Sequence, residues 1–235
     1  TKINNNNAQN LEVAWIYYSK HENKDIQCNP IVVDGIIYTP ISGGYIAAID
    51  GESGKEIWQS IKFGDFVAKR GLVYWPGDLN NNPRLYFSNR ENLIALDAIT
   101  GKLEKNFGKN GIIKRTGLNV ITPIIYKKFI VIATWDKSLE VYNLLNGKIE
   151  WKYKYKKNNT KRHGGKVYSD GGGNPWGGMS ADIQRGIVYI TTGNPHSYYD
   201  GTRRPGKNQG SNSIIAIDLN KKKELWSFQE VSHDL

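Results

Sequence analysis

Residues 48–58 read Ala-Ile-Asp-Gly-Glu-Ser-Gly-Lys-Glu-Ile-Trp, and this stretch is one copy of a pattern that returns along the chain. Each copy has a short apolar run, an Asp or Asn, a turn with Gly-Lys or Lys-Lys, and a returning segment. The Asp or Asn positions of the four copies are Asp50, Asp97, Asn143 and Asp218. The first three lie roughly 45 residues apart, and the last interval is longer because it holds a glycine-rich insertion.

The residue types of the pattern fit a β-hairpin whose returning strand carries an aromatic side chain that packs against the next repeat unit. An Asp or Asn side chain can accept hydrogen bonds from the backbone N–H groups of a turn. The glycine that follows Ser53, Thr100 or Asn146 supplies the positive φ angle at the hairpin corner. The returning strand carries an aromatic side chain, Trp58 in the first copy and Phe107 in the second, which can pack against the next unit.

The period and the turn chemistry together predict an all-β fold, a β-propeller with about four blades in this chain. Apolar strands are expected ahead of the copies, at residues 30–38, 84–88, 123–134 and 186–192. No window has the spacing of an amphipathic helix, and no apolar run reaches the length of a membrane span. We therefore expect almost no helix.

Charge and cysteine content narrow the range of partners. The formal net charge is +10, and Cys28 is the single cysteine, which excludes an internal disulfide and a cysteine cluster for zinc. The lysines fall mainly at turns and strand ends, a distribution that favours a solvated basic surface over a nucleic-acid groove. We predict no nucleic-acid partner, while attraction to an anionic ligand or a membrane surface stays open.

The glycine-rich insertion, residues 171–194, has the composition of a ligand site. Three glycines lead into Asn174, Pro175 and Trp176, and a second glycine turn ends at Asn194. Backbone without Cβ atoms lets a ligand approach closely, and an indole offers it a stacking face. The Asn194 amide oxygen suits a hard cation. The stretch predicts the floor of a planar cofactor site with a metal beside it; the alternative is that Trp176 is a core tryptophan.

The repeat resembles the tryptophan-docking motif of the quinoprotein dehydrogenases, eight-bladed propellers that bind pyrroloquinoline quinone (PQQ) and usually calcium. Residues 69–76, Lys-Arg-Gly-Leu-Val-Tyr-Trp-Pro, are similar to the family segment whose arginine pairs with the cofactor, here Arg70. Residues 171–176 are similar to the glycine-rich run whose tryptophan stacks under PQQ, here Trp176. The Gly-Asn-Pro at 193–195 resembles the segment with a calcium-ligating asparagine, here Asn194.

The resemblance implies further site residues and some departures. It implies Asn174 as a polar partner at the ring edge, and Gln27 at a place where the family has a polar contact to the cofactor. Asp136, in a shortened loop, is a possible stand-in for the family's calcium-binding glutamate; the alternative is that it is an ordinary loop aspartate. For Asn194, the alternative to a metal ligand is a turn asparagine before proline. Gly64 and Asp65 stand where the methanol-dehydrogenase branch has adjacent cysteines.

The resemblance also implies a function and a location. The family oxidises an alcohol or a sugar hydroxyl, passes electrons to ubiquinone or cytochrome c, and is periplasmic, with membrane association possible. The family's catalytic aspartate would follow Leu235, so residues 1–235 are expected to form a single partial propeller domain that is inactive by itself. The alternative is a non-catalytic propeller scaffold of the cell envelope, which needs the repeats but not Arg70, Trp176 or Asn194.

Overall fold

The computed structural model describes residues 3–21, 26–64, 66–115, 121–156, 160–163, 166–169, 173–196, 200–204 and 206–233. In these ranges nearly all regular structure is β, which confirms the predicted all-β class. The helical segments there are two short 3-10 turns, Ala8–Asn10 and Gly201–Arg203. No helix among the described residues has the length and apolar character needed to cross a membrane.

The strands form four antiparallel sheets of four strands each, and every sheet follows the order of the chain. The first sheet contains β1 Ile31–Val33, β2 Ile36–Ile41, β3 Tyr45–Asp50 and β4 Glu56–Gln59. The second contains β5 Val67–Trp75, β6 Arg84–Asn89, β7 Asn92–Asp97 and β8 Ile112–Lys114. The third contains β9 Ile124–Tyr126, β10 Phe129–Ala133, β11 Ser138–Asn143 and β12 Ile149–Lys154.

A separate hairpin stands between the third and fourth sheets, inside the long interval of the repeat. It pairs β13 Thr160–His163 with β14 Lys166–Ser169. The fourth sheet contains β15 Met179–Asp182, β16 Ile187–Thr191, β17 Ser213–Asp218 and β18 Lys223–Gln229. The first strands of neighbouring sheets contact one another, β1 with β5, β5 with β9 and β9 with β15. Four successive meanders joined along their first strands are a partial β-propeller, as predicted.

Two of the predicted apolar segments are hairpins in the structure, the first of them as the Val-Asp-Gly signal at 33–35 predicts. The segment 30–38 turns at Asp34 and Gly35, and the segment 123–134 turns at Lys127 and Lys128. Asp34 and Lys127 have φ angles of 48° and 53°, which is left-handed backbone. The prediction of one continuous strand at 123–134 was wrong, because the segment contains two strands. The turn between them has only two residues, and their types do not distinguish a turn from a strand.

The Asp or Asn of each repeat caps its turn, as the pattern predicts. Asp50 Oδ1 accepts from the Ser53 backbone N–H at 2.7 Å, and Asp97 Oδ1 accepts from that of Thr100 at 2.8 Å. The third and fourth copies repeat the contact through Asn143 and Asp218. Hydrogen bonds from Ser53 hold the pKa of Asp50 below its ordinary value.

Trp15, which precedes the first copy, and Trp58, in the first copy, dock on the glycine corners of the first and second sheets, respectively. The Trp58 indole donates to the Ala98 carbonyl at 3.1 Å, and its ring lies against Gly101, whose φ angle is 69°. Trp15 makes the same bond to the Gly51 carbonyl at 3.1 Å. The repeat is therefore also the interface between neighbouring sheets.

The third and fourth corners depart from this scheme. At the third corner, Gly147 lies against the side chain of Ile113 and not against an aromatic ring. Phe107, predicted to pack against the next unit, is fully buried beside Tyr86, in a core that residues of the second, third and fourth sheets share. In the fourth copy Lys222 takes the glycine position with a φ angle of 56°. The tryptophan contact is therefore found at the corners of the first and second sheets, where the indole packs against a glycine.

Candidate cofactor site

Arg70 and Trp176 meet in space although they lie far apart in the chain. Arg70 belongs to β5, and Trp176 precedes β15. The Arg70 Cζ atom lies 4.7 Å from the centroid of the Trp176 ring, a cation–π arrangement. Trp176 is 48% exposed. It is a half-exposed indole beside a guanidinium and not a core tryptophan.

The Arg70 guanidinium has a donor that no described residue satisfies. Its Nε atom is buried and has no hydrogen-bond partner in that part of the chain. A buried donor left without an acceptor costs about 1–3 kcal/mol. A carboxylate or carbonyl oxygen of a ligand would remove this cost, because the guanidinium fork binds planar oxygen acceptors in a fixed geometry. An aromatic face and an unsatisfied cationic donor therefore lie side by side.

A cavity of about 430 Å³ opens at this pair. It is lined by Arg70, Thr122, Trp176, Gly177, Gly178 and Met179. A Cβ atom on Gly71 would lie 2.8 Å from the Thr122 hydroxyl oxygen, so glycine at this position lets the residue before β9 approach β5 closely. Thr122 is not among the residues predicted from sequence, because one threonine between two strands carries no motif.

A second cavity, of about 340 Å³, is also bordered by the Trp176 indole. It is lined by Trp135, Asn174, Trp176, Gly193 and Asn194. The Trp135 and Trp176 rings meet edge to face with centroids 5.4 Å apart. Trp176 thus borders both cavities, and the two predicted amides, Asn174 and Asn194, are brought together with it.

Backbone hydrogen bonds hold the two amide-bearing loops against each other. The Gly193 N–H donates to the Asn174 carbonyl at 2.9 Å, and the Gly173 N–H donates to the Asn194 carbonyl at 2.9 Å. Because the bonds use only main-chain atoms, the side-chain amides remain available to face the cavity.

Gln27 lies in a different cavity from Trp176. That cavity, of about 310 Å³, lies between the first sheet and the start of the second, and Lys69, the neighbour of Arg70, lines it too. Gln27 is therefore near the Arg70 strand but does not line either cavity that Trp176 borders. Its contact with a cofactor stays a prediction.

Cys28, next to Gln27, is expected to react slowly in the folded protein. Burial raises the pKa of its thiol from 9.0 to about 11, although a hydrogen bond with Thr39 acts in the opposite direction. Since only the thiolate is nucleophilic, alkylation at pH 8 should be about 100-fold slower than for a thiol of ordinary pKa, and should rise about tenfold per pH unit towards pH 11. Iodoacetamide labelling followed by mass spectrometry measures this rate. Protein unfolded in urea serves as the control, and equal rates in both states would contradict the burial argument.

The Asp136 carboxylate is bound within the protein. It accepts a hydrogen bond from the Thr134 hydroxyl through Oδ1, and its Oδ2 lies 3.0 Å from the Lys152 ammonium. Burial by itself would raise the pKa of Asp136, but the bonds from Thr134 and Lys152 lower it overall. Asp136 is therefore an ionised group with both oxygens in use, and it does not line the cavity of its neighbour Trp135.

Of the two residues predicted to bind a metal, Asp136 does not fit one in this structure, and metal binding by Asn194 stays a prediction. No group of three or more His, Cys, Asp or Glu side chains in the described ranges could hold a metal ion. Asn194 faces a cavity, but the carboxylate expected beside it is bound to Lys152. No chemical step is therefore assigned to a metal below.

A family model and curated relatives match the whole chain. The model for the β-propeller domain of PQQ glucose/ethanol/alcohol dehydrogenases matches residues 1–235. The chain is 28% identical to the glycerol dehydrogenase large subunit of Gluconobacter oxydans over 279 aligned residues, which cover 100% of this chain and 37% of the relative. It is also 28% identical to the quinohemoprotein alcohol dehydrogenase of Comamonas testosteroni over 271 residues, which cover 99% and 37%.

The solved structures show the same fold. A europium-containing methanol dehydrogenase superposes with a TM-score of 0.73 at 20% identity, over 99% of this chain and 46% of the other. At such identity the likeness shows the fold alone. The chain spans 37% of the length of the curated relatives named above.

Proposed function

This chain belongs to the PQQ glucose/ethanol/alcohol dehydrogenase β-propeller family, and on that premise we propose that it binds PQQ at Trp176 and Arg70. The protein of which it forms part would be an oxidoreductase that oxidises an alcohol or sugar hydroxyl. Electrons would pass to a quinone or to cytochrome c, in the periplasm. The observation that carries the proposal is the half-exposed Trp176 indole lying 4.7 Å from a guanidinium with a buried, unsatisfied Nε.

The two residues match the chemistry of the cofactor. PQQ is a planar ring system with carboxylates and an ortho-quinone, and when bound it supplies a quinone that takes up the hydride equivalent of the substrate. The Trp176 indole offers a stacking face to such a ring. The Arg70 guanidinium offers donors to a carboxylate or quinone oxygen, and in a site with little water such a bond is strengthened. Both residues would position the ring and limit its freedom to rotate.

The remaining predicted residues have less direct support. Asn174 and Asn194 are proposed as polar contacts at the edge of the ring, since both line the cavity that Trp176 borders. Gln27 is proposed as a contact from the neighbouring cavity, beside Lys69. Calcium is not assigned, because the Asp136 carboxylate is already bound to Lys152.

The test is a titration of the full-length protein with PQQ, followed by dye reduction. We expect saturable binding of one PQQ per chain, seen as quenching of tryptophan fluorescence, and then reduction of an artificial electron acceptor in a series of ethanol, glycerol and glucose. The substrate that gives the highest kcat/KM identifies the branch of the family. A folded protein that binds no PQQ would contradict the proposal and would favour the envelope scaffold.

A further inference from the structure

A lysine bridges two carboxylates, one of which follows Trp135 in the chain. The Lys152 ammonium lies 3.0 Å from Asp136 Oδ2 and 2.9 Å from Glu140 Oε1. Both are charge-assisted hydrogen bonds of good length. One cation is therefore shared by a partly exposed carboxylate and a buried one, since the Glu140 side chain is only 5% exposed.

The sheet register places this lysine between the two acids. Glu140 on β11 stands directly opposite Lys152 on β12 in the antiparallel pair. Asp136 lies in the turn between β10 and β11, so its carboxylate reaches the same ammonium from the strand end. Cross-strand neighbours on one face are close enough for such contacts without distortion.

Every oxygen of the two carboxylates has a partner in the protein. Asp136 Oδ1 accepts from the Thr134 hydroxyl, and Glu140 Oε2 accepts from the Tyr142 hydroxyl at 2.7 Å. Arg115, whose side chain is buried, lies 3.7 Å from the same Glu140 oxygen. Two negative charges thus face two positive charges, and a divalent cation would add charge to a cluster that is already neutral.

We propose that the Lys152 ammonium takes the place of a metal ion at Asp136 and Glu140, so that these carboxylates are held by the protein's own cation. A hard cation needs several uncommitted oxygens at about 2.3–2.6 Å, and here each oxygen is committed. The inference concerns this cluster alone and holds whether or not PQQ binds.

Removal of the lysine charge should convert the cluster into a cation site. Lys152→Met removes the ammonium, retains an unbranched side chain one atom shorter, and leaves two carboxylates against one guanidinium. Terbium ions added alone are the probe, because terbium emission is sensitised by a nearby indole and Trp135 adjoins Asp136. We expect the Lys152→Met chain to bind terbium at least about tenfold more tightly than the unchanged chain, with emission on excitation of tryptophan. Lys152→Arg, which retains the charge, is the matched control and should show no gain.

A second comparison keeps the proposal falsifiable if Lys152→Met does not fold. In the otherwise unchanged protein, Asp136→Asn should leave terbium affinity and emission unaltered, because Asp136 does not bind the ion there. Loss of terbium emission on Asp136→Asn would overturn the proposal. A folded Lys152→Met chain with no gain in affinity would overturn it too, and a gain that Asp136→Asn abolishes in the Lys152→Met background would support it. A failure of PQQ binding changes none of these outcomes.

Discussion

Replacement of Gly101 by alanine is expected to lower the free energy of unfolding by about 3 kcal/mol. Two effects add. The φ angle of 69° is left-handed backbone, which costs an L-residue about 1 kcal/mol relative to glycine. The new Cβ would also lie 2.4 Å from Cε3 of Trp58, a distance that forces the indole off its docking position. Urea unfolding followed by circular dichroism measures the change.

Gly35→Ala is the matched control for this substitution. Gly35 has a φ angle of 79°, but a Cβ there would meet no atom within 4 Å. Its cost should be the backbone effect alone, about 1 kcal/mol. In a Trp58→Ala background the cost of Gly101→Ala should fall to the same value, because the clash is gone. Equal costs for Gly35→Ala and Gly101→Ala in the unchanged protein would show that ring docking does not carry the interface.

Trp176→Ala is expected to weaken PQQ binding about 10- to 100-fold while leaving stability nearly unchanged. Stacking of a planar ring on an aromatic side chain contributes about 1–3 kcal/mol, which corresponds to that range of affinity. The stability effect should stay below about 1 kcal/mol because the indole is 48% exposed. A fluorescence or calorimetric titration with PQQ gives the dissociation constant, and Trp176→Phe should lose less than Trp176→Ala.

Trp226→Ala is the control that distinguishes the loss of stacking on PQQ from any effect of removing a half-exposed indole. Trp226 on β18 is 47% exposed, nearly the same as Trp176, and its ring centroid lies 6.0 Å from that of Tyr189. It lines none of the cavities around Arg70. We expect PQQ affinity to be unaffected by this change. If Trp176→Ala and Trp226→Ala bind PQQ alike, the assignment of Trp176 as the stacking residue is wrong.

The repeat made the sheet architecture predictable because its signals are local. A turn cap joins residues three apart, as in Asp50 and Ser53, and a glycine corner requires only one φ angle. Such features depend on residue types within a few positions, so the four sheets and their meander order could be read from the sequence. The turn at Lys127 could not, since Lys127 and Lys128 differ little from polar residues on a strand edge.

The candidate site was predictable only where motifs carried it. Arg70, Trp176, Asn174 and Asn194 were named from the resemblance of short segments, and the structure gathers them around two adjoining cavities. Thr122 was not named, because its place beside Arg70 depends on the close approach of β9 to β5 across Gly71. A contact between strands of different sheets leaves no pattern in the residues on either side of it.

Residue types alone encode the repeated unit, namely the strands, the caps, the glycine corners and the tryptophans that join one sheet to the next. Which side chains meet depends instead on how the sheets pack. The pairing of Arg70 with Trp176 arises from the packing of successive sheets. The commitment of Asp136 to Lys152 arises from the register of β11 and β12. Local hydrogen bonds and backbone angles are encoded residue by residue, whereas a site between sheets exists only once the sheets have packed.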